Sequence, residues 1–139
     1  VVGFLYDTTL AMLRLIFGGV LEKYKNLKFI LPHAGSTIPY LITRIDHQYK
    51  INPDCRKNIT KMPSEYFKNN VYIDTAQSFY NPAIMCAYSL LGADKMVLGS
   101  DYPFVSLDQA VNSIRGLPIS EEDKEKILFK NAKKLLKIN

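Results

Sequence analysis

The sequence predicts a parallel α/β fold. Three short apolar runs, at 28–31, 71–74 and 95–99, have the length and composition of strands. Helix-length segments separate them, and this alternation is the pattern of β/α units with a parallel sheet. No internal repeat or low-complexity linker interrupts the order.

Each element has a local reason. Asp7 is placed to cap a helix over 8–24, in which Leu10, Leu13, Phe17, Val20, Leu21 and Tyr24 recur at helical spacing. Met12, Leu15 and Ile16 make its middle apolar nearly all round, so it is either buried or meets a partner. Gly18 and Gly19 inside it cost about 1–2 kcal/mol against Ala, which points to close packing there. The strand over 28–31 ends at Pro32, His33, Ala34 and Gly35. Pro39 opens a helix over 39–49, residues 52–58 read as a polar loop, and 63–68 reads as a short helix. The second strand is 71–74. A helix over 82–91 is closed by Gly92, and the third strand, 95–99, runs directly into Ser100, Asp101, Tyr102, Pro103 and Phe104. Helices over 107–114 and 121–137 complete the chain. Three parallel strands cannot close on themselves, so their free edges need cover from helices or another chain.

Composition excludes several classes. A chain of 139 residues suggests one domain with a real core and is too short for a complete (β/α)8 barrel of about 250 residues. With 47% hydrophobic and 22% charged residues it is not a disordered chain. No apolar run approaches ~18 residues, so no membrane span is expected. The start, Val1-Val2-Gly3-Phe4, has neither a basic region nor a cleavage site and does not read as a leader; without an initiator Met, it reads as a piece of a longer chain. The net charge of +5 comes from 14 Lys and 4 Arg. Six of the Lys follow the acidic cluster Glu121, Glu122, Asp123 and Glu125, behind Ser120 as N-cap. Acids first and lysines last suit the macrodipole of a solvated helix. Without Arg clusters and interleaved aromatics this tail does not read as a nucleic-acid surface. Cys55 and Cys86 form no CxxC and no paired framework, consistent with reduced thiols in a cytoplasmic protein.

The residues that could carry chemistry lie at strand ends. His33 follows the first strand, beside Gly35, and Asp101 follows the third. The C-terminal ends of parallel strands are where sites are built. An imidazole there shuttles protons near neutral pH, and a carboxylate binds a divalent metal or takes a proton from its water. A loop His capping a backbone group and an Asp-turn before Pro103 are the plain structural alternatives. Asp74, ending the second strand, is a weaker candidate that could equally bond loop amides. Arg44, on the helix after His33, could bind a substrate carboxylate or form a surface ion pair. His47, one turn on, reads as solvated, and neither Cys has a base beside it in sequence. There is no HxH, no HExxH and no Cys cluster, so the ligands for a complete metal site are not visible.

The motifs then become specific. Three blocks resemble the C-terminal half of the amidohydrolase-related family that includes aminocarboxymuconate-semialdehyde decarboxylase. The first runs from Phe17-Gly18-Gly19 through Leu31-Pro32-His33-Ala34-Gly35-Ser36 to Pro39-Tyr40 and Arg44. The second is the run from Leu91 to Phe104, containing Gly99-Ser100-Asp101-Tyr102-Pro103. The third is Lys130-Asn131-Ala132-Lys133-Lys134-Leu135-Leu136. The resemblance implies a partial (β/α)8 TIM barrel, about the last three β/α units, with 1–139 as a single C-terminal barrel fragment. It implies a divalent metal, most often zinc, with Asp101 as metal ligand and proton acceptor. His33 would act on substrate or water, and Arg44 would be a carboxylate clamp. Ala34 stands where the family usually has Gly. The family's HxH pair and middle-strand His would precede Val1, leaving the metal site incomplete in this chain. The implied activity is hydrolysis or non-oxidative decarboxylation of a small carboxylate or amide, with the isolated fragment expected to be inactive and a homo-oligomer expected. The competing expectation is a non-catalytic module that self-associates through strand edges and the apolar 10–21 segment.

Overall fold

A computed structural model describes residues 2–77 and 79–138. Val1, where the expected leaderless start begins, lies outside the described residues. Helix α1 (Val2–Phe17) and the single turn α2 (Val20–Lys23) precede β1 (Phe29–Leu31). A one-turn segment α3 (Pro32–Gly35) leads to α4 (Ile38–Ile51), a 3-10 turn at Pro53–Arg56, and α5 (Pro63–Asn70), which runs into β2 (Val71–Asp74). Helix α6 (Asn81–Leu91) returns the chain to β3 (Met96–Val97). Helices α7 (Leu107–Arg115), α8 (Glu121–Glu125) and α9 (Asn131–Leu136) follow, the last two joined by a π-helical turn at Lys126–Lys130.

The strands form one parallel sheet in the order β1-β2-β3. Ile30 stands opposite Tyr72, and Ile73 is shared between Leu31 and Met96. Val71, Ile73, Met96 and Val97 are buried with Ile38, Ile42, Phe67, Ile84, Ile114 and Ile127 from the helices. Ile30, on the free edge strand, is about half exposed.

Two helical expectations are corrected. The continuous helix over 8–24 is broken: α1 starts at Val2, Asp7 lies inside it, and it stops at Phe17. Asp7 is not its cap, because nothing in residues 2–6 opposes helix; Thr8 and Thr9 instead donate back to the Phe4 and Leu5 carbonyls. Gly19 ends the run with φ 77°, and a Cβ there would stand 2.7 Å from the Asn58 carbonyl oxygen. The glycine pair is thus a break imposed by close backbone approach. The helix over 121–137 is wound as a π turn in its middle. That turn leaves the Ile127 carbonyl to accept from Leu98 N–H at 2.8 Å, which extends the hold on β3 past its two strand residues.

Side-chain clamps fix the strand ends. Asn70, buried, donates to the Lys25 and Leu27 carbonyls and sets the approach to β1. Asn131, also buried, donates to the Ala93 and Met96 carbonyls and holds the start of β3 against the C-terminal helix.

Candidate active site

His33 and Asp101 meet at the C-terminal end of the sheet, where both line one open cavity of about 940 Å³. The walls are largely apolar and aromatic, with Phe4, Tyr40, Tyr80 and Phe104 around the two polar residues. Cys86 also faces this cavity.

His33 owes its position to the turn after β1. Its backbone has φ 57° and ψ 55°, and Ala34 continues in the same left-handed region. Such a conformation costs an L-residue about 1–2 kcal/mol. Asp74 offsets that cost, since its Oδ1 accepts from His33 N–H at 2.9 Å and from Ala76 N–H at 3.0 Å. The side chain that ends β2 thereby shapes the turn that ends β1. The imidazole Nδ1 is 3.2 Å from the Ala76 carbonyl. A carbonyl only accepts, so Nδ1 carries the proton and a neutral ring presents Nε2 as a lone pair.

Asp74 is the electrostatically strained member. Burial pushes its carboxyl above the usual range, while the amide bonds from Ala76 and His33 pull it back. The negative Asp101 nearby raises it further. Gly99 is required beside it, because a Cβ there would fall 2.9 Å from Asp74 Cγ. Thr75 closes the same seam, its hydroxyl accepting from Gly99 N–H at 3.2 Å.

Asp101 sits in a turn with φ 65°, stabilised by Phe104 N–H donating to its carbonyl at 2.9 Å. Gln77 Nε2 donates to Asp101 Oδ2. Gln77 was not singled out in the sequence, although it follows β2 directly, and the strand-end rule that selected His33 and Asp101 covers its position too. The cavity aromatics had no sequence signal, because Phe4, Tyr40, Tyr80 and Phe104 come from four separate segments.

Arg44 is not brought to this cavity. It lies one turn beyond Tyr40 on α4, its side chain is exposed, and it has no hydrogen bond or ion pair among the described residues. His47 is likewise exposed, and Cys55 lies outside the cavity wall.

The metal donors lining the cavity are one carboxylate, one imidazole and the Cys86 thiol. No group of three or more His, Cys, Asp or Glu among the described residues could hold a metal ion. A catalytic zinc usually takes three protein ligands, so these residues do not by themselves fit a resident metal. Among the described residues no helix is long and apolar enough to cross a membrane.

Residues 2–138 match the family model described as amidohydrolase. The chain is 35% identical over 138 residues to a gamma-resorcylate decarboxylase of Polaromonas sp. strain JS666, covering 96% of this chain and 41% of that protein. It is 32% identical to a 2-amino-3-carboxymuconate-6-semialdehyde decarboxylase of Dictyostelium discoideum, over 97% of this chain and 38% of the relative. In three dimensions it is similar to the dihydroxybenzoic acid decarboxylase of Polaromonas sp. JS666, solved with manganese and the inhibitor 2-nitroresorcinol. The TM-score is 0.90 at 34% identity, over 98% of this chain and 41% of that one. The chain thus spans about two-fifths of the length of these relatives, and the metal in that structure is manganese where the sequence resemblance suggested zinc.

Proposed function

The chain belongs to the amidohydrolase family, and on that premise we propose that it forms the C-terminal part of a divalent-metal-dependent, non-oxidative decarboxylase of small aromatic carboxylates. Its three β/α units are part of a (β/α)8 barrel. The observation that carries the reading is the convergence of His33 and Asp101 on one cavity at the C-terminal strand ends. Manganese, named with the Polaromonas structure, is the metal of first choice.

Such a reaction breaks the bond between a ring carbon and its carboxyl carbon. The carboxyl group leaves as CO2, the bonding pair stays on the ring, and one proton must reach that carbon. His33 is suited to hold and release this proton, because its imidazole is oriented by the Ala76 carbonyl. Asp74 is a positioning residue that fixes the His33 backbone from behind. The aromatic walls offer apolar surface to a flat ring. Asp101, steadied by Gln77, is the carboxylate this chain offers to a metal whose other ligands come from outside the described residues. When bound, such a metal would supply positive charge to the substrate. With only these donors, residues 1–139 in isolation form a single barrel fragment without decarboxylase activity. Arg44 would serve as a carboxylate clamp only after a rearrangement of its exposed side chain.

The test is a graft. Residues 1–139 replace the corresponding part of the Polaromonas gamma-resorcylate decarboxylase, and CO2 release from gamma-resorcylate is measured with manganese. A folded chimaera should turn over, and its Asp101→Asn and His33→Ala variants should lose at least a hundredfold in kcat. A folded, metal-loaded Asp101→Asn chimaera with full activity refutes the assignment.

A second reading, a self-associating module, is favoured by the exposed apolar residues Val2, Phe4, Tyr6 and Leu10 on α1 and Ile30 on the sheet edge. Light scattering across a concentration series decides it, and a monomer throughout removes it.

A further inference from the structure

The opposite end of the sheet gathers positive charge. Lys28 immediately precedes β1 and Lys95 immediately precedes β3, while Asn69 lies at the end of α5, just before β2. Lys28 Nζ donates to the Asn69 carbonyl at 2.8 Å, and Lys95 Nζ donates to the same oxygen at 3.2 Å. Two ammonium groups therefore share one neutral acceptor. Lys95 is also half-buried, with its Nζ 4.5 Å from the centre of the Tyr72 ring. Burial lowers its pKa, and the neighbouring charges of Lys28 and Lys134 lower it further.

Lys57, Lys124 and Lys130 each meet a carboxylate, and Lys126 meets Asp94, Glu122 and Asp123. Lys28 and Lys95, which meet on one oxygen, have no carboxylate partner among the described residues to offset their paired charge. An ammonium has three N–H donors. Lys28 and Lys95 each direct one to Asn69, from strand starts that lie on either side of β2.

We propose that Lys28 and Lys95 form a binding site for a small multivalent oxyanion of the phosphate class, at the pole of the sheet opposite His33 and Asp101. The anion neutralises two mutually repelling charges and ties the start of β1 to the start of β3 across β2. Its binding therefore stabilises the fold, and the site lies apart from the cavity chemistry.

The test titrates inorganic phosphate into the 139-residue chain at constant ionic strength, with sodium chloride as the balancing salt. Melting temperature and calorimetric binding are read together. The expected result is a saturating rise in melting temperature with a matching calorimetric isotherm. Lys95→Gln and Lys28→Gln should each weaken phosphate binding by roughly tenfold or more, while Lys57→Gln leaves it unchanged. A non-saturating rise that chloride reproduces overturns the proposal, because it reports only screening. Wild-type phosphate affinity in both the Lys95 and Lys28 variants overturns it equally.

Discussion

Replacing Asn131 tests how the C-terminal helix holds the strand that delivers Asp101. The side chain is 7% exposed, and its Nδ2 donates to the Ala93 carbonyl at 2.6 Å and the Met96 carbonyl at 2.7 Å. Asn131→Leu keeps much of the volume and leaves both carbonyls without that donor. A buried acceptor that loses its donor costs about 1–3 kcal/mol, so the pair amounts to about 2–6 kcal/mol. For a chain of this length each kcal/mol moves the melting temperature by about 3 °C, which predicts a fall of roughly 6–18 °C. Asn131→Asp separates packing from hydrogen bonding: its shape is the same, but at neutral pH it places a carboxylate against two carbonyls and should fall at least as far. Calorimetry and urea unfolding on the three proteins provide the measurement. A fall under about 3 °C in both variants would refute the clamp and leave α9 as simple cover for the sheet.

Gly99→Ala places a methyl group 2.9 Å from Asp74 Cγ; it should cost about 1–3 kcal/mol by overpacking and speed hydrogen exchange at the His33 and Ala76 amides, and unchanged protection there would count against the Asp74 brace. Tyr66→Phe should show a pH window. Its hydroxyl bond holds the Glu22 carboxyl below its usual range, while burial and Glu22 hold the Tyr66 phenol above its own. The depressed Glu22 contributes stability that is present above the ordinary carboxylate range and lost as pH falls through its folded value. The raised Tyr66 contributes stability that is present below the ordinary phenol range and lost as pH rises through its folded value. The wild-type advantage over Tyr66→Phe should therefore be largest near neutrality and shrink at both ends, and a difference that does not vary between pH 3 and pH 11 would refute the pairing. Arg44→Ala should change urea stability by less than about 0.5 kcal/mol, as for an unpartnered surface residue; a larger loss would reveal a contact that the fold does not show.

The parts of this fold legible in the sequence are those set by local pattern. The β2 expectation of 71–74 matches Val71–Asp74, because alternating β-formers and flanking polar residues specify a strand without outside help. The meeting of His33 and Asp101 at one cavity follows from their positions after parallel strands. What escaped the sequence is set by distant contacts. The break at Gly19 depends on the Asn58 carbonyl, and the π turn at Lys126–Lys130 comes with a bond to Leu98. The third strand reads as five residues and pairs over only two, since Leu98 turns its N–H to the helix instead of to β2. Arg44 shows the limit of spacing: helix position places it near Tyr40, but whether it reaches the cavity depends on the surrounding surface.

The strands are so short that their ladders alone hold the sheet weakly, with three, four and two residues. Precision at the cavity therefore comes from side chains that bond the backbone of another element. Asn70 sets the start of β1, Asn131 the start of β3, and Asp74 the turn that presents His33. Of these, Asp74 alone carries a charge, and burial acts against that charge. A carboxylate makes a stronger acceptor for amide donors than a neutral oxygen, so its bonds to the His33 and Ala76 amides work against both its own burial and the left-handed backbone of His33 and Ala34. Asn at position 74 keeps one acceptor oxygen but lacks the charge. It should leave the chain folded and loosen the His33 turn, seen as faster exchange at the His33 amide. If that amide stays as protected as in the wild type, geometry alone holds the turn and the charge on Asp74 serves the cavity instead.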